Sequence, residues 1–168
     1  MKFIGTKSLK PLSILIRLIT GEPISHFAIV FNSPGGGLMF ESNLLDTHPK
    51  FYRTAEKHMT VVDEIEIKLP LEQEDQAWDH CIDRFDDRGY DFWGAIYLGL
   101  MVLRERIFGD PRPLYNKWAT EHRLFCDEVW AICSDIPGLP QIDVRSGMKT
   151  PGEVIKVIKD WKATQGDT

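Results

Sequence analysis

The spacing of hydrophobic positions changes several times along the chain, and each change marks an element. Lys2-Phe3-Ile4 predicts a short strand. From Ser8 to Ile19 apolar residues dominate, with Pro11 in the first turn where proline is tolerated, and Thr20-Gly21-Glu22-Pro23 ends the predicted helix. The next run, Ile24 to Phe31, is apolar on both alternating faces, which suits a strand covered on both sides. Asn32-Ser33-Pro34-Gly35-Gly36-Gly37 supplies turn chemistry, and Leu38-Met39-Phe40-Glu41 predicts the returning arm of a hairpin. Asn43 to His58 has no clean period and predicts irregular chain. Thr60 to Leu69 alternates, with Ile65, Ile67 and Leu69 on one side, as in a half-exposed antiparallel strand stopped by Pro70.

Helical spacing returns at Leu71 to Arg88, with Trp78, Cys81, Ile82 and Phe85 forming the inward stripe and Gly89 the terminator. A second helix, Phe92 to about Phe108, is apolar enough to predict a central position. After a break at Gly109 to Pro113, apolar residues at 125, 129, 132 and 133 predict a helix that begins at Cys126. A loop rich in Pro and Gly follows at Ser134 to Pro140. Thr150-Pro151-Gly152-Glu153 combines an N-cap threonine, proline at the first helical position and glutamate three residues after the cap, a capping box for a last helix with Val154, Ile155, Ile158 and Trp161 inward. Ala163 to Thr168 is expected to fray. There is no repeat or linker, so the expectation is one α+β domain over residues 1–168, an antiparallel sheet flanked by helices.

Composition narrows the class without naming it. The chain is 43% hydrophobic and 27% charged, an ordinary globular balance. Three cysteines without regular spacing argue against a disulfide framework, and neither a signal peptide nor a run of roughly 20 apolar residues is present, so a cytoplasmic protein is expected. Net charge is −5, which disfavours nucleic acid as a partner. The charge is unevenly spread: residues 1–20 hold four bases and no acid, whereas residues 63–91 hold eleven acids against three bases. The acidic block reads as a solvated helix face. Peripheral contact of Lys7 to Ile19 with an anionic membrane is the lesser expectation for the basic segment. Oligomeric state is not legible.

The candidate chemistry centres on Cys126. A cysteine at a helix N-terminus faces unpaired N–H groups and the positive end of the macrodipole, which favour the nucleophilic thiolate. Such a thiol needs a base within hydrogen-bond reach and a group to orient that base. His26, at the mouth of the buried strand, is the candidate base, and Glu41 on the returning strand the orienting carboxylate. Their meeting depends on hairpin register. If paired residue numbers sum to 67 or 69 the two share a sheet face; a slip of one residue separates them. Asn43, Asp46 or His48 would replace Glu41 under another turn. No pair has the spacing C-x-x-C or H-x-x-x-H, so no metal and no cofactor is expected.

The order of these motifs resembles the circularly permuted branch of the NlpC-type, papain-like amidases and peptidases, the YiiX-like proteins. The residues that carry the resemblance are Ser25-His26-Phe27-Ala28-Ile29-Val30, then Glu41, then Phe125-Cys126-Asp127-Glu128-Val129, supported by Gly89-Tyr90-Asp91-Phe92 and Thr150-Pro151. The resemblance implies a papain-like fold and a cysteine hydrolase with Cys126 as nucleophile, His26 as base and then acid, and Glu41 as orienting group. It also implies Tyr90 and Ser25 as substrate-binding residues, and a peptide, acyl-amide or lipid-like substrate. One departure is Asp127, where the family has serine; a negative charge beside the thiol opposes its ionisation. The alternative is a binding or inhibitory protein that keeps the fold without turnover.

Overall fold

In a computed structural model of the chain, residues 1–32, 37–42, 47–85, 89–113, 116–118, 123–124, 136–140 and 148–165 are described. Five strands form an antiparallel sheet: β1 (Lys2–Lys7), β2 (His26–Phe31), β3 (Leu38–Ser42), β4 (Thr47–Phe51) and β5 (Thr60–Glu66), in the order β4-β3-β2-β1-β5. The helices are α1 (Pro11–Thr20), α2 (Tyr52–Ala55), α3 (Leu71–Phe85), α4 (Phe92–Phe108) and α5 (Pro151–Gln165). A two-stranded parallel ribbon of β6 (Gly89–Tyr90) and β7 (Arg123–Leu124) completes the described frame.

Period-two alternation divides the sheet into two buried faces. On one, Phe3, Phe27, Ile29, Phe31, Phe40 and Ile65 pack with Ala77 and Cys81 of α3 and with Val154, Ile155 and Ile158 of α5. On the other, Ile4, Ala28, Val30 and Met39 pack beneath Tyr52 and Ala55 of α2. The continuous apolar run in β2 is thus explained, since both faces are covered. Trp78 stands edge-on to Phe31, as the predicted stripe of α3 requires. The Phe85 side chain lies outside the described residues.

Residues 47–58 are not irregular as expected. They form the edge strand β4, the short α2 and a turn of 3-10 helix over Glu56–His58. Pro49 pairs with Phe40 at the sheet edge, where a missing N–H is tolerated, and it interrupts the period that would have revealed a strand. The last helix persists through Gln165, so the expected fraying is also corrected for residues 163–165, while residues 166–168 lie outside the described residues.

Helix ends follow the sequence signals. Gly21 closes α1 in the left-handed region and donates its N–H to the Arg17 carbonyl. The Asp91 side chain caps α4 by accepting from the Gly94 N–H at 3.0 Å. The capping box of α5 is present: the Thr150 hydroxyl accepts from the Glu153 N–H, and the Glu153 carboxylate accepts from the Thr150 N–H. Glu22 also takes the Thr150 hydroxyl and the Gly152 N–H, and a side chain at residue 152 would run into its carboxylate. Arg112 joins the two late helices. It pairs with Glu105 of α4, and it donates to the Met148 carbonyl and to Glu153.

A third expectation is overturned. α4 is not central: only Gly94, Tyr97, Leu98 and Val102 are buried, and the helix packs against α1. Its apolar residues run right round the helix, but nothing among the described residues covers the outer arc.

Candidate active site

The hairpin register decides the site. β2 and β3 pair Ile29 with Phe40, Val30 with Met39 and Phe31 with Leu38, all summing to 69. In that register His26 lies diagonal to Glu41 on one sheet face. The side chains meet: His26 Nε2 stands 2.7 Å from Glu41 Oε2, with 22% and 13% of the side chains exposed. An ionised carboxylate only accepts, so Nε2 carries the proton of this bond.

Lys50 on β4 is the third member. Its Nζ stands 3.3 Å from Glu41 Oε1, because β4 pairs with β3 so that Met39 faces Lys50. The sequence reading missed Lys50, since the strand that carries it had no visible period. Burial acts most strongly on the Glu41 carboxyl and would raise its pKa. The hydrogen bond and charge of His26, followed by the charge of Lys50, outweigh burial and hold it at about 2. Glu41 is therefore a fixed anion that orients the imidazole rather than a group that exchanges protons near neutrality.

Ser25, beside His26, is buried. Its hydroxyl is 2.6 Å from that of Ser13 and donates to the Thr6 carbonyl, so it joins α1 to β1. Tyr90 is half-buried in β6, where it packs against the cluster of Tyr97, Leu98 and Val102 and lines a groove between α1 and α4. Tyr90 pairs in parallel with Leu124, two positions before Cys126 in the chain. Cys126 itself lies outside the described residues, as do Asp127, Cys133, Asn43 and Asp46. His48 faces Glu41 across the β3–β4 ladder. Cys81 is buried in the core, where burial pushes its thiol far up, away from nucleophilic use.

No protein-family model matches the chain, and no curated protein matches it. A match in fold exists among solved structures, and the architecture it defines is the YiiX-like one that the motif order resembled. The structure is that of the metalloprotein YiiX from Escherichia coli O157:H7, with a TM-score of 0.56 and 17% identity over 82% of this chain and 66% of that one. The chain thus spans just under two thirds of the length of that protein, and at this identity the likeness concerns the fold.

The neighbour binds metal by its name, so the donor set here matters. Among the described residues no three of His, Cys, Asp and Glu gather. The His26–Glu41 pair is closed on itself by a direct hydrogen bond, and the Lys50 ammonium on the outer carboxylate oxygen opposes a second cation. The described residues do not fit a metal ion.

Proposed function

We propose that this protein is a cysteine hydrolase that cleaves an amide or ester through an acyl-thiol intermediate. The reading rests on the His26–Glu41 pair, an imidazole oriented by a half-buried carboxylate kept ionised. With Nε2 committed to Glu41, Nδ1 is the nitrogen to which a thiol would come. Cys126, at a predicted helix start, is the proposed nucleophile.

In this reading His26 Nδ1 takes the thiol proton as Sγ of Cys126 bonds to the substrate carbonyl carbon. The backbone N–H of Cys126 stabilises the oxyanion. Collapse breaks the carbonyl bond to the amine or alcohol, which leaves with the proton held by His26. Water, deprotonated by the same imidazole, then attacks the thioester, releasing the acid and restoring the thiol. Glu41 keeps the imidazole in the required tautomer throughout. Tyr90, paired with Leu124 two positions before Cys126, is the proposed substrate contact. A peptide, acyl-amide or lipid-like acyl group is the substrate class.

The test is labelling of the folded protein by a thiol-directed electrophile at neutral pH. Modification concentrated on Cys126, slowed at least tenfold by His26→Ala and absent in Cys126→Ser, is the expected result. Equal labelling of Cys126 with and without His26, or labelling only after unfolding, overturns the proposal in favour of a binding protein without turnover.

A further inference from the structure

α1 places six leucine and isoleucine residues in ten positions, yet none of its residues is buried. Thirteen large hydrophobic side chains are exposed among the described residues, and ten of them lie on residues 9–18 and 92–108. At three- and four-residue spacing, Phe92, Ile96, Leu100, Leu103 and Ile107 make one stripe along α4. Against it lies α1, and the two helices bound an apolar groove of about 240 Å³ whose rim includes Leu15, Phe92, Leu100 and Leu103. A monomer seldom leaves so large an apolar surface in water without use.

Charge indicates the partner. In a chain of net charge −5, residues 9–20 and 92–108 carry Lys10, Arg17, Arg104 and Arg106 against Glu105; Arg104 is neutralised by Asp110 just past α4, at 2.8 Å, which leaves Lys10, Arg17 and Arg106 as the basic flank of this face. Arg106 donates to the carbonyls of Leu18 and Ile19, which fixes a guanidinium where the end of α1 meets α4. Trp93, 60% exposed, stands edge-on to Trp118, so amphipathic aromatic rings gather toward one end of the stripe. Aliphatic stripe, basic flank and exposed indoles together are the features of a surface that rests in a lipid–water interface. Among the described residues no helix is long and apolar enough to cross a membrane.

We propose that the α1–α4 face docks the protein on anionic lipid bilayers, with Leu15, Leu18, Leu100 and Leu103 entering the acyl boundary and Lys10, Arg17 and Arg106 meeting the lipid phosphates. Tyr90, the proposed substrate contact, lines the same groove, but the docking does not use the thiol, so its failure and that of the hydrolase reading are distinguishable. It promotes a contact that sequence alone ranked second, because sequence could not show that α1 and α4 would both remain uncovered.

The test is co-sedimentation of the full chain with vesicles of phosphatidylcholine alone or mixed with phosphatidylglycerol. Binding to the mixed vesicles that weakens as salt rises, and that drops about tenfold in Leu18→Asp/Leu103→Asp, is expected. Both positions are exposed, and thermal melting checks that the variant folds. As a second measurement, brominated-chain phosphatidylglycerol should quench the wild-type tryptophan emission, and Trp93→Phe should lower the quenched fraction while Trp161→Phe does not. No binding to anionic vesicles at low salt, unchanged binding by the double variant, or a lipid-free dimer that the double variant dissolves overturns the proposal; the last would make the face a self-interface.

Discussion

α1 and α5 are both helices with several large apolar residues, and they are treated in opposite ways. α1 is the more apolar, with six Leu and Ile in ten residues, and buries none of them. α5 has five large apolar residues in fifteen and buries Val154, Ile155 and Ile158. The difference lies in what each lies against. α5 packs on β1, β2 and β5, whereas the main contact of α1 among the described elements is α4, whose outer side chains are themselves exposed. Apolar content therefore records that a helix has an apolar partner, and the rest of the structure decides whether that partner is inside the molecule.

The sharpest way to break this comparison is to charge both helices. Ile158→Asp places an unpaired carboxylate in a fully buried site and should cost about 4 kcal/mol or more, enough to abolish the cooperative transition in a denaturant melt. A mild effect would mean that α5 is not the packed member of the pair.

Next in size is the pairing on the opposite sheet face. The Glu41 carboxyl titrates at about 2 in place of its ordinary 4.5, a shift worth about 3 kcal/mol at most. A depressed carboxyl contributes stability that is complete above the unfolded value and is lost as pH falls from about 4.5 toward 2. Glu41→Gln should lower stability at pH 7 and flatten that acid limb in melts taken across the range. An acid limb as steep as that of the wild type would sink the assignment.

The caps sharpen the contrast further. Thr150 caps α5, whereas Lys10 precedes α1 with no side-chain cap. Thr150→Ala should cost about 1 kcal/mol through the lost cap, read as a lowered denaturation midpoint. Smallest of all is Leu18→Asp, the counterpart of the first substitution. With Leu18 72% exposed, the change should stay within about 0.5 kcal/mol by the same melt. A large loss there would show that α1 has a buried face after all.

The elements most legible in the sequence were those whose pattern and boundary chemistry agreed. Thr150-Pro151-Gly152-Glu153 predicted both the start of α5 and its cap, and the apolar run before Asn32 predicted a strand covered on both faces. β4 was hidden because Pro49 and a mixed edge composition leave no alternation, and Lys50 was hidden with it. The His26–Glu41 contact was legible only as a conditional, because three successive glycines permit several registers; pairing downstream of the turn chose among them. The position of α4 was misread since hydropathy cannot distinguish apolar surface facing a core from apolar surface facing outward.

Arg112 carries a consequence for variation in chain length. By grasping Glu105 on one side and Met148 and Glu153 on the other, it brings together the ends of the span from Arg112 to Met148, 36 positions apart. Once such ends are tethered, extra residues between them add slack at a rate that grows only logarithmically, about 0.6 kcal/mol for each doubling. Homologous chains with longer or shorter spans between α4 and α5 can therefore share this frame, provided the guanidinium clasp is kept.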